Sequence, residues 1–421
     1  MVQKLLDFIQ NSPDCYHAVD TIRSRLTENG YRQISFADWN VQPGGKYFTV
    51  RNESSVIAFR IPAEQTDGFI LAAAHTDSPC LRIRGKAELE GEYIRLETER
   101  YGGMIESAWL DRPLSAAGRV MVRSEAGLRS WHVNLKEPIA LIPNVAPHIG
   151  RGVQFDPARD LMALFGERAA KGGFLRLLAE NAGCKAEDLA AFDVILYNNQ
   201  PGCVWGTNGE FVSAPRLDDL ACVYAGLEAF LTAGSGGKIP VFCAFHNEEI
   251  GSETRQGAAS DFLPEVLRAI TESLGKSNTE HRAMLQSSLM LSCDNGHALH
   301  PNRPELSDKN EAPVLNGGVV IKHSPRYATD ALSAAIFTEI CGRAGVAVQH
   351  YSNRPDIAGG STLGNIANTD TPACMVDIGL AQLAMHSSFE TMGARDIAGM
   401  VKAIKACYEA KLNIKDGSVT L

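Results

Sequence analysis

Four short runs of this chain are almost wholly apolar: FILAAA at 69–74, IPVFCAF at 239–245, SLMLSC at 288–293 and ACMVDIG at 373–379. A strand with no polar face has to be covered on both sides. Helical patterns at 220–231, 328–344 and 396–411 alternate with these runs and can supply the cover. The alternation predicts an α/β fold, with a three-layer core around a mostly parallel sheet.

The same pattern locates a site. In open α/β sheets, ligands bind beyond the carboxyl ends of the strands. Here the runs lead into His75-Thr76-Asp77, Glu248-Glu249, Asp294 and His386, and Asp218-Asp219 stands just before the helical pattern at 220. Each has an ordinary reading taken singly: a hydrogen-bonded structural imidazole, a helix first turn favoured by the dipole, an N-cap, a turn. Five such groups where one sheet presents them together point to metal instead. Two imidazoles and three carboxylates suit two divalent ions about 3.5–4 Å apart, with one carboxylate bridging and a water held as nucleophile. Zinc is the first expectation, with Mn2+ or Co2+ as alternatives. His75 and Asp77 lie two apart on an extended strand and share a face, so Asp77 is expected to accept the imidazole N–H and fix which nitrogen meets the ion. Adjacent Glu248 and Glu249 cannot both ligate comfortably, so one should bind while the other acts as general base.

The remaining sequence frames this core. Residues 1–85 carry two helical patterns, one with Leu5, Leu6, Phe8 and Ile9 on one face and one capped by Ser12-Pro13, then strands near 46–51 and 56–60; they form the first part of the core. Residues 86–202 change texture to alternating, half-exposed strands at 87–98 and 118–123 with one helix near 174–180, and read as an inserted β-rich domain. Residues 203–421 complete the core. With 40 Lys+Arg against 49 Asp+Glu, the net charge of −9 has the wrong sign for a nucleic-acid partner. No run nears the roughly 18 apolar residues of a membrane helix, and the N-terminus lacks the apolar core of a secretory signal, so no membrane partner and a cytoplasmic location are expected. The 10 Cys form no C-x-x-C pair and several sit in apolar runs, which disfavours disulfides and a thiolate zinc site. Phosphate-loop, nucleophile-elbow and H-E-x-x-H signatures are absent.

The segments AAAHTDSPCLRIR (72–84), APRLDDL (214–220), AFHNEEIGSET (244–254), SCDNGHALHPN (292–302), VIKHSPRYAT (320–329), GGSTLG (359–364) and QLAMHSSFE (382–390) resemble the M18 family of metallo-aminopeptidases, the aspartyl aminopeptidase group. The resemblance spans nearly the whole chain. It implies one metal on His75 and Asp294, another on Glu249 and His386, Asp218 as the bridge, Glu248 as catalytic base and Asp77 orienting His75. It also implies that the insertion is a dimerisation domain and that the chain forms a homo-oligomer, a tetrahedral dodecamer built from dimers, acting on peptides. His148, in IPNVAPH, resembles a histidine that a neighbouring subunit lends to the oxyanion; the other reading is a surface residue. Lys322 and Tyr327 resemble residues that hold an acidic P1 side chain, although the spacing there is about two residues short, and Gly360 stands where eukaryotic members carry Cys. Met385 reads as packing, and His297 as a neighbour of the ligands or a turn residue. A related dimetal carboxypeptidase or N-acyl amino acid deacylase is the alternative enzyme. A metal-stabilised scaffold is the non-enzyme alternative, and it has no need of Glu248.

Overall fold

The structure is a computed structural model and describes residues 1–152, 154–415 and 418–421. Its largest sheet has nine strands, ordered Arg32–Gln33, Lys46–Arg51, Ser55–Arg60, Ile239–Phe245, Phe69–His75, Leu289–Cys293, Cys374–Gly379, Val319–His323 and Val348–Ser352. The four central strands, from Ile239–Phe245 to Cys374–Gly379, are mutually parallel. Antiparallel pairs occur only nearer the edges, where Ser55–Arg60 meets both its neighbours and where Cys374–Gly379 meets Val319–His323.

Strand alternation divides the core into two apolar clusters. From Phe69–His75, Ile70, Ala72 and Ala74 pack into one with the helices Val2–Gln10, Cys15–Glu28, Leu217–Thr232, Ala331–Ala344 and Asp396–Glu409. Phe69, Leu71 and Ala73 face the other, with Phe262–Ser273 and Asn278–Gln286. Both faces are covered, as unbroken apolar strands require.

A second, six-stranded sheet is antiparallel throughout, ordered Gly127–Asn134, Leu114–Ser124, Leu189–Asn198, Cys80–Leu89, Tyr93–Tyr101 and Ala163–Glu167. It has its own apolar core, to which helix Gly173–Ala182 contributes Phe174 and Leu178. It leaves the large sheet directly after His75. The stretch expected as one strand at 87–98 is a hairpin that turns at 90–92, because Gly91 interrupts a pattern whose alternation continues on either side. Asp14 rather than Ser12 caps the second helix: its carboxylate accepts from Tyr16 N and His17 N, and Pro13 lies outside the first turn. A five-stranded sheet that the sequence did not suggest, Cys203–Trp205, Phe211–Ala214, Glu390–Gly393, Ala381–Leu383 and Gly296–His297, closes one end of the core. All ten cysteines are free. Among the described residues, no helix is long and apolar enough to cross a membrane.

Candidate metal centre

Every strand end named from sequence arrives in one place. His75 ends the central strand Phe69–His75, Glu248 and Glu249 follow Ile239–Phe245 in a single 3-10 turn, and Asp294 follows Leu289–Cys293. Asp218 enters at the start of helix Leu217–Thr232, where Asp218 and Asp219 have non-helical backbone angles. His386 is carried by the loop between Ala381–Leu383 and Glu390–Gly393, with φ +67°.

Distances give the cluster its form. His75 Nε2 lies 3.4 Å from Asp218 Oδ1, 3.8 Å from Asp294 Oδ1 and 4.0 Å from Glu248 Oε2. His386 Nε2 lies 3.6 Å from Asp218 Oδ2 and 3.4 Å from Glu249 Oε2. Asp218 therefore turns one oxygen toward each histidine. Three overlapping donor groups result, each able to hold a cation: His75 with Asp218, Asp219 and Asp294; His386 with Asp218 and Glu249; and His75 with Glu248 and Glu249. The first two share Asp218.

Around them sits a layer of holding contacts. His75 Nδ1 lies 3.0 Å from the main-chain carbonyl of Asp77 and 3.5 Å from its carboxylate. Both oxygens lie beside the imidazole N–H expected to meet the carboxylate, and the carbonyl is the nearer. The Asp77 carboxylate is engaged elsewhere, accepting from Tyr101 Oη at 2.7 Å and from the backbone N–H of Glu248 and of Glu249, each at 3.2 Å. With Nδ1–H donated to the carbonyl, the neutral imidazole would present its Nε2 lone pair to the cluster. Asp219 accepts from His75 N at 3.2 Å. Glu390 accepts from Asp218 N at 3.0 Å and His386 N at 2.7 Å, so it ties two sequence-distant segments together. Sequence reasoning missed Tyr101 and Glu390, and neither residue carries a local signal that could have found it.

The electrostatics ask for cations. Asp218 Oδ1, Asp219 Oδ1 and Glu249 Oε1 are buried without a hydrogen-bond partner, a state that proteins seldom tolerate. Burial, then the negative charges of Asp294, Asp77 and Asp218, push the Glu248 carboxyl up to about 8. Burial and Asp218 drive Glu249 well above its ordinary range. Burial alone would lower His75, but Asp219, Asp218, Asp294 and Asp77 together hold its imidazole well above the ordinary value. Without metal the cluster must take protons to offset its own charge. Hard and borderline cations with oxygen and imidazole ligands answer the same need, so the residues fit a divalent metal pair.

The substrate residues expected from sequence share a cavity of about 330 Å³ with this cluster, which Lys322, Tyr327, Gly360, His297 and Met385 help to line. Lys322 is almost wholly buried; its ammonium donates to Asp294 Oδ2 at 3.0 Å and to the Asn295 carbonyl at 3.4 Å. It thus touches a member of the donor cluster as well as the cavity. His148 is exposed, in a turn that does not line this cavity.

Comparison with known proteins adds independent findings. The profile of the Aminopeptidase I zinc metalloprotease (M18) family matches residues 8–408. The chain is 41% identical over 423 residues to a protein named "Probable M18 family aminopeptidase 2" of Clostridium acetobutylicum, covering 96% of this chain and 98% of that one. It is 38% identical over 424 residues to a protein of the same name from Pseudomonas aeruginosa, with 96% and 97% covered. Among solved structures, a chain of the Ape4 and Nbr1 complex superposes with TM-score 0.93 at 31% identity, covering 97% of this chain and 85% of that one. The S. cerevisiae mApe1 dodecamer gives TM-score 0.86 at 27% identity, with 97% and 96% covered.

Proposed function

Since the chain belongs to the M18 family of zinc metallo-aminopeptidases, we propose that it removes the N-terminal residue of peptides at a dinuclear centre, with one cation on His75 and Asp294, the other on Glu249 and His386, and Asp218 between them. The observation that carries this reading is Asp218, whose two oxygens point to different histidines. His75, Asp294, Glu249, His386 and Asp218 would hold the cations, which would supply Lewis-acid activation of a water and of the peptide carbonyl. Glu248 takes the proton of the attacking water and returns it to the leaving amine; its carboxylate oxygen reaches to 4.0 Å from His75 Nε2, at the edge of the cluster. Asp77 holds the Glu248-Glu249 turn through two backbone N–H groups, so ligand and base move as one unit. The carboxylates facing the cavity favour a free α-amino group, hence an exopeptidase.

Preference for an acidic first residue belongs to the same proposal. Lys322 keeps one of its three N–H groups beyond those given to Asp294 and Asn295, and its ammonium lies 5.3 Å from the Tyr327 ring centre; Gly360 leaves room beside them. The likeness to the mApe1 dodecamer supports a homo-oligomer. We place dimer contacts on the six-stranded sheet; because its strand Cys80–Leu89 begins ahead of residue 86, the inserted domain expected at 86–202 is placed from about residue 80, with His148 serving the oxyanion of a neighbouring subunit and dimers assembling into a tetrahedral dodecamer. Measuring cleavage of peptides that differ only at the first residue, with bound cations quantified in the same sample, tests the whole. Hydrolysis of N-acetylated peptides at the same rate as free ones would refute the exopeptidase reading.

A further inference from the structure

Tyr101 closes the strand Tyr93–Tyr101 of the six-stranded sheet, yet its hydroxyl lies among the loops of the core. It donates to Asp77 Oδ2 at 2.7 Å and accepts from Asn247 Nδ2 at 2.8 Å. The direction of these bonds is fixed. Asn247 Oδ1 already accepts from Thr254 Oγ1 at 2.9 Å and Gln256 Nε2 at 2.7 Å, so the amide must face the phenol with its N–H. The phenol proton is then left for Asp77.

Asp77 in turn receives the backbone N–H groups of Glu248 and Glu249 on its carboxylate, and His75 Nδ1 lies at hydrogen-bond distance from its carbonyl. One hydroxyl thus braces the segments that carry the base and a ligand from each cation group. The strand exit continues along the same surface. Gly102, at φ +75°, has a backbone conformation that favours glycine, and a Cβ there would press on Glu249 Cβ at 3.1 Å. Ile105 N donates to the carbonyl of His386 at 3.0 Å.

We propose that Tyr101 is a positioning residue of the metal centre, so that the centre is fully shaped only when the six-stranded sheet is docked against the core. The proposal rests on the metal reading above. It differs from an ordinary buried hydroxyl, for which the same sheet provides a control: Tyr197 Oη donates to Asn134 Oδ1 at 2.8 Å, a bond that involves neither Asp77 nor any residue of the cluster.

The test is chelator competition for Zn2+ on the full chain, without peptide, for wild type, Tyr101→Phe and Tyr197→Phe, alongside thermal melts of the cation-free proteins. Loss of an outer contact to a ligand set typically weakens metal affinity or activity by roughly 10–100-fold. That loss is expected for Tyr101→Phe alone, with kcat falling and KM little changed, while the two variants melt alike. Combining Tyr101→Phe with Asp77→Asn should weaken Zn2+ no further than Asp77→Asn does by itself, because the phenol acts through Asp77. A Tyr101→Phe chain that held Zn2+ as tightly as wild type, or losses that simply added, would overturn the brace. A wild-type chain that bound no cation would instead remove the centre on which the brace depends.

Discussion

Carboxylates crowded out of water need a counter-charge, and at the residue scale that need assigns the roles. Asp218 Oδ1 and Glu249 Oε1 have no hydrogen-bond partner although both are buried. Replacing Asp218 by Asn removes the charge that both cation groups share, so metal analysis should find both cations depleted; a loss of one only would move the bridge to another residue. Glu248 lies at the edge of the His–carboxylate cluster, 4.0 Å from His75 Nε2, and Glu248→Gln keeps its shape while removing its basicity. Bound metal should stay at the wild-type level and turnover should fall by about 10²–10⁴-fold, the range for a lost proton-transfer group. Lys322→Ala should slow acidic substrates more than apolar ones. Since Lys322 also holds Asp294, the comparison must be made at equal metal content.

Positions of single residues depend on the elements that carry them. Strand Phe69–His75 is buried along its whole length and paired in parallel on both sides, which gives His75 a rigid mount. His386 has no such mount. Its loop is pinned by Glu390, whose two oxygens take Asp218 N and His386 N in the same buried spot. Glu390→Ala would orphan both N–H groups, at about 1–3 kcal/mol for each buried donor left unpaired. A lower melting temperature together with weaker cation binding is expected, and a change in the first without the second would confine Glu390 to stability. Here the sequence was only partly legible. The apolar strands and their terminal groups could be read off because burial on both faces leaves a continuous signature. Glu390 and Tyr101 could not, since a residue that supports a ligand from another element carries no local pattern.

For the molecule as a whole, charge crowding becomes a dependence on pH. The Glu248 carboxyl, ordinarily near 4.5, is raised to about 8 in the fold without metal. Between those values the folded chain keeps a proton that the unfolded chain releases, so stability falls as pH rises through the window. Asp77, lowered from 3.8 to about 2, acts in the opposite sense but below the window, where its contribution is lost as pH falls. Melts of the cation-free chain should drop from pH 5 to 8, and added Zn2+ should restore more stability at pH 8 than at pH 5, because the cation replaces protons. A flat profile would contradict the crowding argument. The amino-acid sequence by itself determined the α/β class, the presence of a β-rich insertion and the five ligand candidates, because hydrophobic periodicity and strand-end chemistry are local properties. Only the tertiary structure decided that Asp218 faces both histidines, that the carbonyl of Asp77 rather than its carboxylate lies closest to the His75 imidazole, and that Tyr101 of a different sheet reaches this centre. The first and third of those contacts join residues far apart in the chain, while the second, between residues two apart, depends on how the chain turns as it leaves the strand.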